Sequence, residues 1–559
     1  MRALTLMLVL CLILTTFIPS AFSAVAAFDL WISPTGDADD IHTIHMMTVD
    51  SAYCLFLPGG LDLSEWKFGH NADSIAVNGL TADNGLSAAA LKSGELNTLE
   101  VTRGKTVKTI PLTVMQGSEL PTMFITTESG SLNRIHRNKS FKEAGSMVLY
   151  NTRGEIEYEG GLKHMKMRGN ASTRYKKKNY AIKLENGTNL LGMGKEKKWV
   201  LIGNHLDKSL IRNQMNFDIA RYAGIPFTPD CRQVALYINN EYAGLYLLTE
   251  KIEVDDDRVD IRDLEKETEA LNEKKLSEYP AFGSPYSKRG SLKGRMIPNE
   301  PEDVTGGYII EYEHDPRKYS HEESAYITEQ NLFLIIHSPE YCSEGQMKYI
   351  SGFMQRFENA IYADDGIDPE TGKHYSEFVD FDSLVNKYLI NEVIKNYDAN
   401  MSSEYFFKPD DSVSTKAFAG PVWDLDNTYG DYTLPGNTRM LSPEVMFVNL
   451  RGSLSYWWPA LSRHEDFHAA VVERYHNTFV PAMEILLGHR EETEILKSID
   501  SYAKAIEKSV EMEYIRYPGL KLPQSNAKVQ TGRNFTENID FLKDYITRRK
   551  IFLSEEWPV

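Results

Sequence analysis

The pattern of hydrophobic residues changes once along this chain, and that change limits the folds it can adopt. Up to about residue 250, short apolar or alternating runs separated by Gly, Asn and Asp clusters predict mostly β-strands. Further on, apolar residues recur at helical spacing over 346–362, 381–395 and several C-terminal segments. Strands followed by helices, rather than alternating with them, are typical of α+β proteins. We therefore expect a strand-rich lobe followed by a helix-rich lobe.

The N-terminus predicts an exported protein. Met1 and Arg2 precede an apolar run from Leu4 to Ile18, and small residues follow, as in a cleaved secretory signal peptide. We assign this signal peptide to residues 1–23. The run is short for a membrane span, and no later apolar stretch is long enough for one. We expect a secreted, extracytoplasmic protein without a membrane span.

The mature chain divides into three predicted regions. Residues 24–118 contain short strands at the spacing of a small β-sandwich of immunoglobulin type, which we interpret as a spacer or docking module. Residues 119–315 form the predicted strand-rich lobe, and residues 316–559 the predicted helix-rich lobe. The chain is long enough for each region to build an ordinary hydrophobic core.

Charge and cysteine content exclude several classes of function. The chain has 79 Asp and Glu against 61 Lys and Arg, so its net charge of −18 argues against nucleic acid as a partner. Removal of the leader leaves Cys54, Cys231 and Cys342, an odd number without a CxxC pair. Neither a disulfide framework nor a zinc site is expected. We expect a monomer.

Two carboxylates follow an apolar run in Phe418-Ala-Gly-Pro-Val-Trp-Asp-Leu-Asp-Asn-Thr-Tyr-Gly430. Residues i and i+2 of a strand point to the same face, so Asp424 and Asp426 are expected to face one point. Unless they pair with Lys or Arg, two such carboxylates require a cation. Mg²⁺ is commonly held by one or two carboxylates together with substrate phosphates. The alternative is a β-turn with surface aspartates.

A second acidic site precedes this stretch. The amphipathic helix over 381–395 ends in Asn396-Tyr-Asp398, and an aromatic strand follows. Helix, Asp-bearing loop, strand and a second Asp at a strand end is the order in which protein kinases place a catalytic Asp and a metal-binding Asp. The alternative is that Asp398 only caps the helix.

Eight cations crowd into residues 161–185 of this acidic chain. The turn Arg168-Gly-Asn-Ala-Ser-Thr-Arg174, which includes Asn170, can offer backbone N–H groups and a guanidinium to phosphate oxygens. Lys183 lies in an alternating strand and faces either solvent or a cleft; the phosphate-binding lysine of protein kinases occupies a comparable strand. Glu250 closes a later strand, where it pairs with Lys183, helps to hold a cation or forms a surface salt bridge.

Six motifs, in order, resemble the spore coat protein H (CotH) kinases. The resemblance runs from about residue 120 to the C-terminal helices. The motifs are Arg168-Gly-Asn-Ala-Ser, Trp199-Val-Leu with Asp207-Lys-Ser-Leu-Ile-Arg-Asn213, Gly244-Leu-Tyr-Leu-Leu-Thr-Glu250, Gly306-Gly-Tyr, Asn396-Tyr-Asp398 and Pro421-Val-Trp-Asp-Leu-Asp-Asn-Thr-Tyr-Gly430.

The resemblance implies an altered protein-kinase fold that transfers phosphate from ATP, with Mg²⁺ or Mn²⁺, to Ser or Thr of secreted or coat proteins. On the motif match, Asp398 and Asp424 correspond to the family's two functional aspartates, and Asp426 shares the second motif. Glu404 stands where many members have Asn, and a carboxylate there can still bind metal. The implied metal ligands are Asp398, Glu404, Asp424 and Asp426, and the implied nucleotide-side residues are Arg168, Asn170, Lys183 and Glu250.

Two other functions remain open. Some family members serve as surface adhesins, so the chain could be a catalytically degenerate binding protein. Asp424-Leu-Asp-Asn-Thr428 also matches the D-x-D-x-T motif of haloacid-dehalogenase-type phosphatases, in which the first Asp attacks phosphorus. That fold needs a Lys and a further acidic pair on later βα units, whereas mostly helical residues follow here.

Overall fold

A computed structural model describes residues 28–284, 288–431, 441–449, 457–521 and 532–559. The predicted signal peptide lies outside the described residues. The chain divides into two compact units. One comprises the described residues up to Leu57 together with Leu61–Gln116, and the other comprises Pro58–Gly60 and the chain from Gly117 onwards. Within the described part, no helix is both long enough and apolar enough to cross a membrane.

The first unit is built from strands in two sheets. Its strands are β1 (Leu30–Ser33), β2 (Ile44–His45), β3 (Met47–Val49), β4 (Ala52–Leu57), β5 (Lys67–His70), β6 (Ser74–Val77), β7 (Leu80–Thr81), β8 (Leu96–Arg103) and β9 (Thr106–Gln116). One sheet has the order β2-β1-β5, and the other has the order β3-β4-β9-β8-β6-β7. All pairs are antiparallel except β4 with β9. The predicted N-terminal β-rich region is confirmed.

The second unit begins with a closed barrel. Its strands are β10 (Thr122–Thr127), β11 (Glu143–Tyr150), β12 (Ile156–Arg168), β13 (Asn179–Asn189), β14 (Lys195–Ile202), β15 (Cys231–Ile238) and β16 (Glu241–Glu250). Neighbours are antiparallel, and a parallel pairing of β10 with β15 closes the barrel. Side chains such as Ile182, Trp199 and Leu248 fill its interior. Asn239 and Asn240, both with positive φ, form the tight turn that joins β15 to β16.

A second sheet follows the barrel. Its strands are β17 (Ala281–Gly283), β18 (Leu292–Arg295), β19 (Tyr308–Glu313), β20 (Ala325–Ile327), β21 (Phe333–Ser338), β22 (Glu404–Lys408) and β23 (Phe418–Ala419). The order is β17-β18-β20-β21-β19-β22-β23, and every pair is antiparallel. The predicted lobe boundary after residue 315 falls inside this sheet, because β19 precedes it while β21 and β22, its two partners, follow it.

Helices cover one face of this sheet. The described helices are α1 (Asn133–Arg137), α2 (Arg212–Tyr222), α3 (Leu264–Ala270), α4 (Glu344–Tyr362), α5 (Phe381–Val393), α6 (Trp457–Leu461), α7 (Glu465–Arg474), α8 (Val480–Leu486), α9 (Ile499–Arg516) and α10 (Phe535–Glu556). Ile310 of β19 and Phe406 of β22 share one hydrophobic core with Leu384 and Leu389 of α5. The mixed α+β class is confirmed, and the arrangement into two kinase lobes stays a prediction.

Candidate active site

The loop after β23 carries two of the predicted site residues. The expected strand does not reach Asp424, because Pro421 has no N–H to donate to a strand ladder and β23 ends at Ala419. Asp424 itself has φ of 58°, in the left-handed region, where a non-glycine residue is strained. The two carboxylates are nevertheless close enough to interact. Burial raises the pKa of Asp426 well above its ordinary value, and the charge of Asp424 raises it further.

Two asparagines of α2 hold this loop in place. Leu425 N–H donates to Asn213 Oδ1 over 2.9 Å, and Asn216 Nδ2 donates to the carbonyl of Leu425 over 2.8 Å. The Tyr429 hydroxyl donates to Asn216 Oδ1 over 3.0 Å. All these groups are buried, so water cannot replace a lost partner. Each hydrogen bond therefore satisfies a polar group that would otherwise be unpaired, and it fixes the position of that group. Helix α2 therefore sets the conformation of the loop that carries Asp424 and Asp426, which we call the acidic loop.

A buried ion-pair network positions α2. The Asp207 carboxylate accepts the N–H groups of Ser209 and Arg212 over 2.9 and 2.8 Å, and it also pairs with the Arg212 guanidinium. The helix begins at Arg212, five residues after Asp207. Arg212 lies 3.3 Å from an oxygen of Asp431, which follows the acidic loop. The network thus ties the start of α2 to the end of that loop.

Asp398 lies beside the same loop. It belongs to a single 3₁₀ turn, Tyr397–Asn400, in which Asn396 Oδ1 accepts the Asp398 N–H over 3.2 Å. Tyr397 N–H donates to the carbonyl of Asn427 over 3.1 Å, so the segments that carry Asp398 and Asp426 are hydrogen-bonded to each other. The charge of Asp398 also contributes to the raised pKa of Asp426. The structure therefore brings Asp398, Asp424 and Asp426 together, and we call these three residues the acidic group.

Arg168, the last residue of β12, faces this acidic group from the barrel. Its guanidinium carbon lies 5.0 Å from the centre of the Trp423 ring. Burial raises the pKa of Asp424, Glu311 adds to the effect, and Arg168 opposes it. Within the described chain, neither Asp424 nor Asp426 forms a salt bridge, and Arg168 offsets the charge of Asp424 from a distance.

Asn170 and its neighbours extend the site from the Arg168 turn. The Asn170 side chain accepts from Lys139 Nζ over 3.1 Å and donates to the Tyr319 hydroxyl over 3.2 Å. Tyr319 in turn interacts with Glu313 and Asp398. Lys177, further along the turn, is fully buried, where it pairs with Glu513 of α9 and donates to the carbonyl of Leu245. Lys177 therefore anchors the segment that follows this turn.

Two carboxylates of β19 join the site, although sequence reasoning missed them. Glu311 and Glu313 lie two residues apart on one face of the strand, and Glu311 Oε1 accepts the Ser403 N–H over 3.1 Å. Its other oxygen contacts His337. Burial raises the pKa of Glu313 to about 10, with Glu311 and Asp398 contributing. The available signal was the i, i+2 spacing of two Glu residues in an otherwise apolar, buried strand.

Glu404 of β22 lies in the same sheet as β19, but it points to the face opposite to the one that carries Glu311 and Glu313. It lies opposite Tyr312 in the pairing of β19 with β22, whereas Glu311 lies opposite Tyr405. Its carboxylate lies 3.7 Å from Lys387 Nζ and accepts from Asn391 Nδ2 over 2.9 Å. Burial raises its pKa to about 7. This position favours a structural pairing with α5, and the predicted role as a metal ligand gains no support from it.

Lys183 and Glu250 are not paired with each other. Lys183 lies on the outer face of β13, where burial and the charges of Lys198 and Lys163 lower its pKa. Glu250 accepts the Asp230 N–H over 2.8 Å and pairs with Arg258 at 2.8 Å. Burial raises the pKa of Glu250 to about 7. Their roles at the nucleotide remain predictions, and the contacts described here give Glu250 other partners.

Lys166 is a cation that the sequence did not single out for this site. It lies two residues before Arg168 on the same face of β12. Burial lowers its pKa, and the charges of Lys142, Lys139 and Arg168 lower it further. Because its closest charged neighbours are cations, Lys166 adds to the positive potential beside the acidic group.

The donor atoms suit a hydrated hard cation. Among the described residues, no group of three or more His, Cys, Asp or Glu side chains is arranged to hold a metal ion. Mg²⁺, however, retains several waters and needs only one or two protein carboxylates together with substrate phosphates. Asp424 and Asp426 supply such a pair of oxygen donors. The residues therefore fit a Mg²⁺ or Mn²⁺ ion that substrate phosphates complete, rather than an all-protein metal cage.

Comparison with known proteins agrees with the motif pattern. A family model, described as CotH kinase protein, matches residues 165–553. The matched region begins just before Arg168 and includes the acidic loop, the Asp398 turn and the two glutamates of β19. A search of curated proteins finds no match.

Proposed function

The chain belongs to the CotH kinase protein family, and on this basis we propose that it is an ATP-dependent protein kinase acting on Ser or Thr of exported proteins. The supporting observation is the convergence of Asp398, Asp424 and Asp426 opposite Arg168. Like charges held in one partly buried place raise one another's pKa values and are stabilised by a divalent cation. The predicted signal peptide supports the part of this proposal that puts the protein and its substrates outside the cytoplasm.

The proposed mechanism is positional and electrostatic. ATP with its divalent cation supplies the phosphoryl group and balances charge at the site. Asp424 and Asp426 would hold the cation, and Arg168, whose guanidinium lies over the Trp423 ring, would donate N–H groups to phosphate oxygens. Asp398 orients the substrate hydroxyl and accepts its proton, as the catalytic-loop Asp of other kinases does.

The sheet around Asp424 argues against the phosphatase alternative. A chain of βα units produces parallel strands, because each crossover returns the chain in the same direction. The strands on the Asp424 side, β19, β22 and β23, are antiparallel to their neighbours. The D-x-D-x-T match of residues 424–428 thus lies in a different structural setting from the one its chemistry requires.

Phosphoryl transfer from labelled ATP tests the proposal. The mature protein is incubated with γ-labelled ATP and Mg²⁺ or Mn²⁺, beside the variants Asp424→Asn and Asp398→Asn and a control, Asp540→Asn, at an exposed position of α10. A kinase incorporates label into protein with the wild type and control only. A phosphatase instead hydrolyses phosphoesters through an aspartyl-phosphate, and an adhesin does neither.

A further inference from the structure

A basic groove lies on the outer side of the barrel. Its volume is about 780 Å³. Lys163 of β12 and Lys183 of β13 line it, while alternate residues of the two strands, such as Met165 and Ile182, fill the barrel interior. Arg134 and Lys142 also line the groove. Neither Arg168 nor any residue of the acidic group lines the groove.

The four cations of this groove, Arg134, Lys142, Lys163 and Lys183, have no carboxylate partner of their own. In the described part of the chain, none of them forms a salt bridge, although most arginines around the barrel do. The Arg134 guanidinium carbon lies over the Phe141 ring, 4.1 Å from its centre. Their uncompensated charge in a chain of net charge −18 indicates a site for an anion.

Two carboxylates interrupt the positive charge. Glu143 is buried, and its Oε1 accepts the Ser129 N–H over 2.8 Å, while Glu128 is exposed at the rim. Four cations line the groove against these two carboxylates, so the local charge remains positive. Burial lowers the pKa of His164 to about 4, and the charges of Lys142, Lys166 and Lys183 lower it in the same direction. Cations separated by two carboxylates disfavour the concentrated charge of a triphosphate. They suit a peptide whose anionic side chains alternate with neutral ones.

We propose that this groove binds an anionic segment of the protein substrate, one that carries Asp, Glu or phosphorylated Ser and Thr side chains. The inference rests on the proposed kinase function and adds a substrate feature to it. A segment held at the groove raises the effective concentration of hydroxyl groups from the same chain at Asp398. Proteins with acidic or already phosphorylated stretches are then the preferred substrates.

Peptide binding without ATP tests this inference separately from catalysis. Fluorescence anisotropy is measured on the mature full-length chain with three short labelled peptides, which carry Glu, phosphoserine or Ser at the same alternate positions. The groove variant is Lys142→Ser with Lys163→Ser, two exposed positions, and the matched control is Lys373→Ser with Lys504→Ser, also exposed. The Glu and phosphoserine arms distinguish carboxylate from phosphate as the recognised group.

The expected result is that the anionic peptides bind the wild type and control, and that their affinity falls at least about tenfold in the groove variant. Added salt weakens the binding, and the Ser peptide does not bind. Equal affinity in wild type and groove variant, or competitive displacement of the peptide by ATP, overturns the inference. Binding in Asp424→Asn should equal that of the wild type. If peptides bind but no phosphate is transferred, the kinase proposal fails, while the assignment of the groove as a site for anionic peptides stands.

Discussion

The guanidinium of Arg168 is stacked on the ring of Trp423, 5.0 Å from its centre, and so lies next to Asp424. This contact joins the last residue of a barrel strand to the acidic loop that follows the second sheet. It fixes a cation beside carboxylates without forming a salt bridge with them. A guanidinium held in this way can contact phosphate oxygens while the carboxylates stay available to a metal ion.

The first prediction concerns this stack. Arg168→Lys keeps the charge but loses the planar group that stacks on Trp423 and contacts two oxygens at once, so phosphate transfer should fall roughly tenfold; Arg168→Met, which also loses the charge, should cost roughly a hundredfold. The control Arg490→Met changes an exposed arginine and should leave the rate unchanged. Initial rates with labelled ATP provide the measurement. Equal rates for Arg168→Met and wild type would show that Arg168 does not contact the transferred phosphate.

The second prediction concerns the carboxylates of the acidic loop. Asp424→Asn removes a negative charge that holds the cation, so the rate should fall by roughly a thousandfold or more. The free energy of unfolding without metal should not fall, because burial disfavours the ionised form of Asp424 and the amide removes that cost. Rates and urea unfolding curves are measured on the same preparations. An active Asp424→Asn variant contradicts the assignment.

The third prediction separates a structural from a metal-binding role for Glu404. Lys387→Met leaves the buried Glu404 without its cation, and breaking such a pair costs about 3–5 kcal/mol of the free energy of unfolding. Glu404→Gln can keep a hydrogen bond with Asn391, so it should cost less and should leave Mn²⁺ affinity at the wild-type level. Denaturant unfolding and Mn²⁺ titration provide the two measurements. Loss of Mn²⁺ binding in Glu404→Gln would instead make Glu404 a metal ligand.

The fourth prediction concerns pH. The pKa of Glu313 is about 10 in the fold against an ordinary value of 4.5, so between these values the folded state holds a proton that the unfolded state has lost. The contribution of Glu313 to stability is complete below about pH 4.5 and is lost as pH rises towards 10. Metal-free Glu313→Gln should therefore lose less stability than the wild type between about pH 6 and pH 9. Parallel pH dependences of the two unfolding free energies contradict this assignment.

Part of this architecture follows from the sequence by local rules. The order of strands and helices predicts the α+β class, and Asn239-Asn240 predicts a tight hairpin turn because asparagine tolerates positive φ. The motif order places Asp398 and Asp424 in one site, and the structure brings their segments together. Each of these inferences depends on residues close in sequence or on a pattern recognised as a whole.

Other parts depend on long-range pairing and could not be predicted. The face to which Glu404 points is set by its register against Tyr312, and a shift of one residue would turn it towards Glu311. Glu311 reaches the site because β19 pairs with β22, a strand far along the chain. Asp424 leaves strand geometry because Asn213 of α2 binds the next backbone N–H. No local pattern specifies these contacts.

Crystals soaked with Mn²⁺ and a non-hydrolysable ATP analogue test the central claim most directly. Anomalous scattering locates the metal, and we predict a peak beside the carboxylates of Asp424 and Asp426, with Asp398 nearby and the terminal phosphates at Arg168. A peak elsewhere contradicts the account. So does a separation of more than about 10 Å between the carboxylates of Asp398 and Asp424, because one hydrated ion could not then link them.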